Sequence, residues 1–211
     1  MNLIDMHCDT IWKLMETNGT TLNDNPFCID LQKLKRAEST AQFFACFIYL
    51  KQFEGNGRYT KGYDYAMQML ARIKQEIVQN KDAIAIARNF LEFDKNQAQG
   101  KLSAFVTIEE GGILDSQVNR LHTLYQEGVR LVTLLWNEEN CIGSPNSKDR
   151  KIITAAVVDN RNAQPVFDKI QCRDDPGQKM GGGYQTYIVG TLILKAQKDI
   201  GQLACSQCFA V

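Results

Sequence analysis

Apolar positions along the chain fall into runs of two kinds. Four are short and nearly continuous, at residues 2–7 (NLIDMH), 41–50 (AQFFACFIYL), 103–108 (SAFVTI) and 129–135 (VRLVTLL). Unbroken runs of this length, without alternation, suit strands buried on both faces in a parallel sheet covered by helices. Between them the period changes. Tyr63, Ala66, Met67, Leu70, Ile73 and Ile77 recur at three- and four-residue steps, which predicts an amphipathic helix over 63–78 with Asn80 as its C-cap. A second helix is predicted over 115–127, with Asp115 or Ser116 at the N-cap and Gly128 closing it before the next strand. Strand, helix, strand, helix is the order of an α/β fold.

The rhythm fades after about Lys148. Residues 174–183 (DDPGQKMGGG) form a breaker cluster, and 187–194 (YIVGTLIL) is one apolar run interrupted by Gly190. No internal repeat is present. The chain therefore divides into a βα unit over 1–150 and a divergent tail over 151–211.

Composition narrows the function classes. With 24 basic and 24 acidic side chains the formal net charge is zero, so no overall field favours nucleic acid or an anionic membrane. The opening residues have no basic and apolar leader pattern, and no apolar run reaches membrane-spanning length. The expectation is a cytoplasmic protein with neither membrane nor nucleic acid as partner. Seven scattered cysteines, an odd number, argue against a disulfide framework and for reduced, half-buried thiols. Cys205-Ser206-Gln207-Cys208 lacks the second pair that a zinc site needs, and Gly181-Gly182-Gly183 lacks the frame of a phosphate loop.

Polar residues that could carry chemistry stand where three of the strands end. His7 and Asp9 flank Cys8; on an extended segment they point the same way and can converge on one divalent ion such as zinc. The bland alternative makes His7 a hydrogen-bonded core residue and Asp9 a helix cap. Glu109-Glu110-Gly111-Gly112 follows the third run, and of two consecutive carboxylates only one can face the same side as His7. Its glycines allow a sharp turn or a close approach, and a solvated turn is the alternative. Trp136-Asn137-Glu138-Glu139-Asn140 follows the fourth run and reads either as the wall of a substrate pocket or as a hydrophilic loop behind a packing tryptophan.

Four blocks in order, IDMHCDT at 4–10, IDLQKLKRAESTAQFF at 29–44, AFVTIEEGGI at 104–113 and LHTLYQEGVRLVTLLWN at 121–137, resemble those of the membrane (renal-type) dipeptidases. These are zinc metallopeptidases with a TIM-like barrel. The resemblance covers about residues 2–150 and reaches the N-terminal half of the family only. It implies an α/β fold in the form of a partial TIM-like (β/α) barrel, and hydrolysis of small dipeptides through a hydroxide activated by two metals. It implies that His7 and Asp9 bind the first metal, and that Glu110, directly before the glycine pair, bridges the two while Glu109 does not. Trp136 stands where some relatives have a substrate-contacting histidine, so Trp136 and Asn137 become substrate-binding candidates.

The family's second metal takes two further histidines from the later half, which also supplies a proton-handling aspartate and a substrate-binding arginine. This chain has one other histidine, His122, predicted on the surface of the 115–127 helix. Histidine count alone excludes a complete two-metal site built from this chain. At most one zinc is expected, in a truncated and inactive dipeptidase copy whose partners are a dipeptide and either a second copy or a second barrel half. The alternatives are a non-catalytic small-molecule or partner-binding protein with one weak metal site, and a tail-borne cysteine module. For the tail itself, a change of reading frame near codon 150 and a real lineage-specific segment both stand.

Overall fold

The computed structural model describes residues 3–143 together with three short strands farther on, at 158–159, 164–165 and 191–193. The readings made above for the rest of 151–211, the glycine cluster and the Cys205–Cys208 pair among them, lie outside the described residues.

All four predicted strands form. They are β1 (Leu3–Asp5), β2 (Ser39–Phe47), β4 (Leu102–Glu109) and β5 (Val129–Thr133), with a three-residue β3 (Ile84–Ile86) that the sequence pattern did not reveal. Their pairing is parallel throughout, β1 on β2, β2 on β4, and β4 on β5, while β3 lies along the start of β4. Of the strands beyond residue 150, β6 (Val158–Asp159) and β7 (Gln164–Pro165) pair with each other, and β8 (Thr191–Ile193) joins β5 antiparallel. The architecture is a mixed α/β partial barrel.

Helices cross between the strands: α1 (Thr10–Glu16), α2 (Leu31–Arg36), α3 (Arg58–Gln79), α4 (Phe90–Ala98) and α5 (Val118–Gln126). The long α3 buries Ala66, Met69, Leu70, Ile73 and Ile77 against the sheet, the face its spacing predicts. It starts at Arg58 rather than at residue 63 and ends at Asn80, whose side-chain amide donates back to Glu76 O at 2.8 Å. For α5 the expected cap is displaced. Asp115 and Ser116 both have positive φ and belong to the turn before the helix, and Gln117 takes the N-cap position. Gly128, at φ 104°, closes α5 as predicted. The core gathers Phe44, Cys46 and Ile48 of the β2 strand and its exit with Val106 and Ile108 of β4, all fully buried.

The first predicted strand is not buried on both faces. Leu3 and Ile4 are 45% and 47% exposed, because β1 is an edge strand with no partner on its outer side among the described residues. No helix among the described residues is long and apolar enough to cross a membrane.

The chain between α1 and α2 is tied down by one ion pair. Arg72 Nε meets Glu76 Oε1 at 2.8 Å, and the guanidinium also donates to Leu14 O at 3.0 Å and Thr20 O at 2.7 Å. Glu76, only 2% exposed, accepts Leu22 N–H with its other oxygen at 2.8 Å. Every polar group in this small network is satisfied, so removing one member leaves a buried charge or carbonyl unpaired. Arg72→Ala is expected to cost about 3 kcal/mol of folding free energy, measured by urea denaturation, with α3 retained in the far-UV dichroism.

Candidate metal centre

The segment after β1 stays extended. Cys8 N–H donates to Phe43 O and Ala45 N–H donates to Cys8 O, both at 3.0 Å, so residues 7–9 continue along β2. Alternation then decides the faces. Cys8 turns into the core, where burial pushes its thiol up to about 12, as it does for the fully buried Cys46. His7 and Asp9 turn together to the opposite side. Asp9 stands at the N-cap of α1 but makes no side-chain cap bond, and His7 is half exposed. Neither bland reading of this pair, core histidine or helix cap, fits that geometry.

A third donor arrives from β4. His7 Nε2 lies 3.3 Å from Asp9 Oδ1 and 3.3 Å from Glu109 Oε2, and one ligand atom of each residue falls within 4.8 Å of the others. Asp9 Oδ1 is buried and, among the described residues, has no polar contact beyond its 3.3 Å ion pair with His7. The charges are out of balance. Burial, only partly opposed by His7, pushes the Glu109 carboxyl up to about 7, and the neighbouring Asp9 and Glu110 carboxylates add to the rise. Contact with Asp9 lifts His7 above its ordinary value against the opposing effect of burial. One imidazole and two carboxylates, with a buried Asp9 oxygen, suit a divalent cation such as zinc, which would relieve the repulsion.

Glu110 lies elsewhere. Its backbone turns into the left-handed half of φ/ψ space (φ 110°, ψ 85°), and its side chain folds back on the chain. Oε1 accepts Gly112 N–H at 2.8 Å and the amide of Asn140. Burial raises its carboxyl while the Asn140 and Gly112 hydrogen bonds and Arg58 oppose. Asn140 is fully engaged as well, donating to Leu134 O at 2.9 Å and accepting Ile142 N–H at 2.7 Å. The glycine pair serves this contact. A Cβ on Gly111 would stand 2.9 Å from Leu134 O, and one on Gly112 would stand 2.7 Å from Glu110 Oε1.

The loop after β5 places Trp136 edge-on to Phe47 (centroids 4.9 Å) and Tyr49 (5.7 Å), and Trp12 meets Phe47 at 5.3 Å. Phe47 is in register with Glu109, so this aromatic cluster adjoins the three donors. Asn137 is half-buried in the same loop. A separate open cleft of about 340 Å³ lies on the Asn140 side, lined among others by Leu50, Lys51, Arg58 and Tyr59, and includes neither Trp136 nor Asn137. His122 is half-buried on α5 rather than on the open surface. The sequence pattern sets Glu109 aside in favour of Glu110 and offers Asn140 only as part of the loop after β5. Glu109 is the last residue of β4, and the strand's end, which decides the matter, is seen only in the structure.

The sequence profile of the membrane dipeptidases (peptidase family M19) matches residues 1–157. The chain belongs to the membrane dipeptidase family. Solved structures show the same fold at low sequence identity. Dipeptidase AC, a metallopeptidase, has TM-score 0.62 at 18% identity, over 69% of this chain and 46% of its own. A metallopeptidase from Rhodobacter sphaeroides, solved with a phosphinate mimic of the dipeptide L-Ala-D-Ala, gives 0.60 at 15% over 69% and 48%. The probable dipeptidase PvdM from Pseudomonas aeruginosa gives 0.57 at 14% over 67% and 36%. This M19 chain thus spans about half or less of the length of these solved relatives. No curated protein matches it.

The close packing at Gly112 leaves no room for a methyl group. Gly112→Ala is expected to cost about 1–3 kcal/mol through overpacking against Glu110 and Asn140, read as a lowered thermal midpoint.

Proposed function

We propose that this chain is the first-metal half of a dipeptidase-type metallohydrolase, with His7, Asp9 and Glu109 as the ligands of one divalent ion, most simply zinc. The convergence of these three donor atoms, with the buried Asp9 Oδ1 held by its ion-pair contact with His7 alone among the described residues, carries the reading. Glu109 takes the place that family resemblance gave to Glu110, because it is the carboxylate that faces His7. The ion, when bound, supplies Lewis acidity toward a carbonyl oxygen and a lowered pKa for water.

The chain's own residues do the rest. His7, Asp9 and Glu109 fix the position of the ion, and Asp5 Oδ1 holds the His7 backbone N–H at 3.2 Å. The aromatic cluster of Phe47 and Trp136, with Asn137 beside it, forms the side of the site on which a small dipeptide would rest. Family membership, and a relative solved with a dipeptide mimic, support dipeptides as the substrate class. The described residues offer no second cluster of three donors, and the sequence has one histidine besides His7, which supports a reading in which this chain holds one ion and does not turn over dipeptides.

Zinc titration of the purified chain, with the metal counted after gel filtration, is expected to give one ion per chain. Binding is expected to be lost in His7→Ala, Asp9→Asn and Glu109→Gln. Hydrolysis of small L,L and L,D dipeptides in added zinc is expected not to exceed the His7→Ala background. Two ions per chain, or turnover that both His7→Ala and Glu109→Ala abolish, would mean that further donors come from residues 144–211 or from a second subunit.

A further inference from the structure

We propose that Glu110 is a positioning residue, which with Asn140 locks the turn after β4 so that the neighbouring Glu109 faces His7 and Asp9. The inference rests on the metal-site reading above and assigns the second member of the glutamate pair a separate task.

Three observations carry it. The first is conformational. Glu110 is a non-glycine residue at φ 110°, a region that disfavours L side chains and persists only where the surroundings enforce it. The second is the enforcing contact. A carboxylate 2% exposed accepts the backbone N–H two residues ahead and the amide of a residue that is itself 3% exposed. The third is where that amide is anchored. Asn140 holds Leu134 O at the exit of β5 and the N–H groups of Ile142 and Gly143 at the far side of the loop. The contact therefore ties the exits of two adjacent strands together at the residue after Glu109.

The geometry explains why two adjacent carboxylates do not compete for one ion. At the strand end, Glu109 still obeys the pleat and shares a side with His7. The left-handed step at Glu110 then reverses the chain and sends the second side chain into the β5 loop. Without the lock, the glycine pair that follows would let this turn relax, and the Glu109 carboxylate would lose its fixed direction.

The test uses the full chain and two readouts. The first is zinc affinity by calorimetry, in variants verified by far-UV dichroism and a cooperative melt. Glu110→Gln keeps an oxygen that accepts from Gly112 and Asn140, and is expected to bind within about threefold of wild type, whereas Glu110→Ala and Asn140→Ala bind about tenfold or more weakly, the usual cost of losing a residue that orients a ligand. A Glu110→Gln loss as deep as that of Glu109→Gln would make Glu110 a ligand and overturn the proposal. Wild-type affinity in both alanine variants would overturn it too.

The second readout is the set of His7 ring resonances in the metal-free chain, which report the 3.3 Å contact with Glu109. They are expected to move in Glu110→Ala and Asn140→Ala toward their positions in Glu109→Gln, and to stay in place in Glu110→Gln. Unmoved resonances in the alanine variants overturn the proposal. Should wild type bind no zinc, the metal reading fails, and the His7 resonances still decide whether Glu110 positions Glu109.

Discussion

Parallel pairing of β2 with β4 runs without a slip from Ala41↔Ser103 to Phe47↔Glu109, and the placement of every side chain at the metal end depends on it. Side chains on a strand alternate with a period of two, so a shift of one residue would send Glu109 to the opposite face and bring Thr107 and Phe105 into different company. Burial holds the register. Phe44 and Cys46 on one strand, and Val106 and Ile108 on the other, are wholly inaccessible, so a slip would expose them all at once. The flanking pairs are less regular, with register breaks between Leu3 and Ile4 and between Val106 and Thr107. The central pair is therefore the fixed reference against which His7 on one side and the β5 loop on the other are set.

What the sequence made legible follows from how local each signal is. The strands β2, β4 and β5 lie within unbroken apolar runs, and the helix α3 is long enough for its periodicity to stand clear of noise. The spacing of His7 and Asp9 needs only an extended backbone to become meaningful, and that backbone is present. Residues 84–98 were missed because β3 is three residues long and α4 carries its apolar side chains badly placed for a periodic reading, with Phe90 and Leu91 largely exposed. A capping signal was there to find: Asn89 Oδ1 accepts Glu92 N–H at 2.9 Å, the usual N-cap arrangement three residues apart.

The choice between Glu109 and Glu110 was not legible, and the reason is physical. Both carboxylates adjoin a glycine pair, and alternation says only that they differ. Which one faces His7 depends on where the strand ends and how the chain turns. That turn is set by Asn140, distant in sequence and brought close only by the pairing of β4 with β5. A glycine pair invites the inference of a ligand approaching the backbone. Here the close approach comes from the chain itself, from Leu134, Ile142 and Asn140.

The same topology sets the weakness of the site. His7 and Asp9 follow β1, the edge strand, and their side chains remain 50% and 42% exposed, whereas Glu109 on an interior strand is 15% exposed. Exposed donors lose more mobility on binding an ion and compete with water for it, so the proposed site, with two of its three donors at a sheet edge, is poorly preorganised. Met6, 58% exposed beside His7, and the apolar Leu3 and Ile4 lie along the same edge, which is a ready template for another strand. A strand that paired there would satisfy the unpaired backbone groups of β1. Under the metal-site reading, the two donors that follow β1 are therefore the ones least supported by the rest of the sheet, and Glu109 on the interior strand is the one most firmly placed.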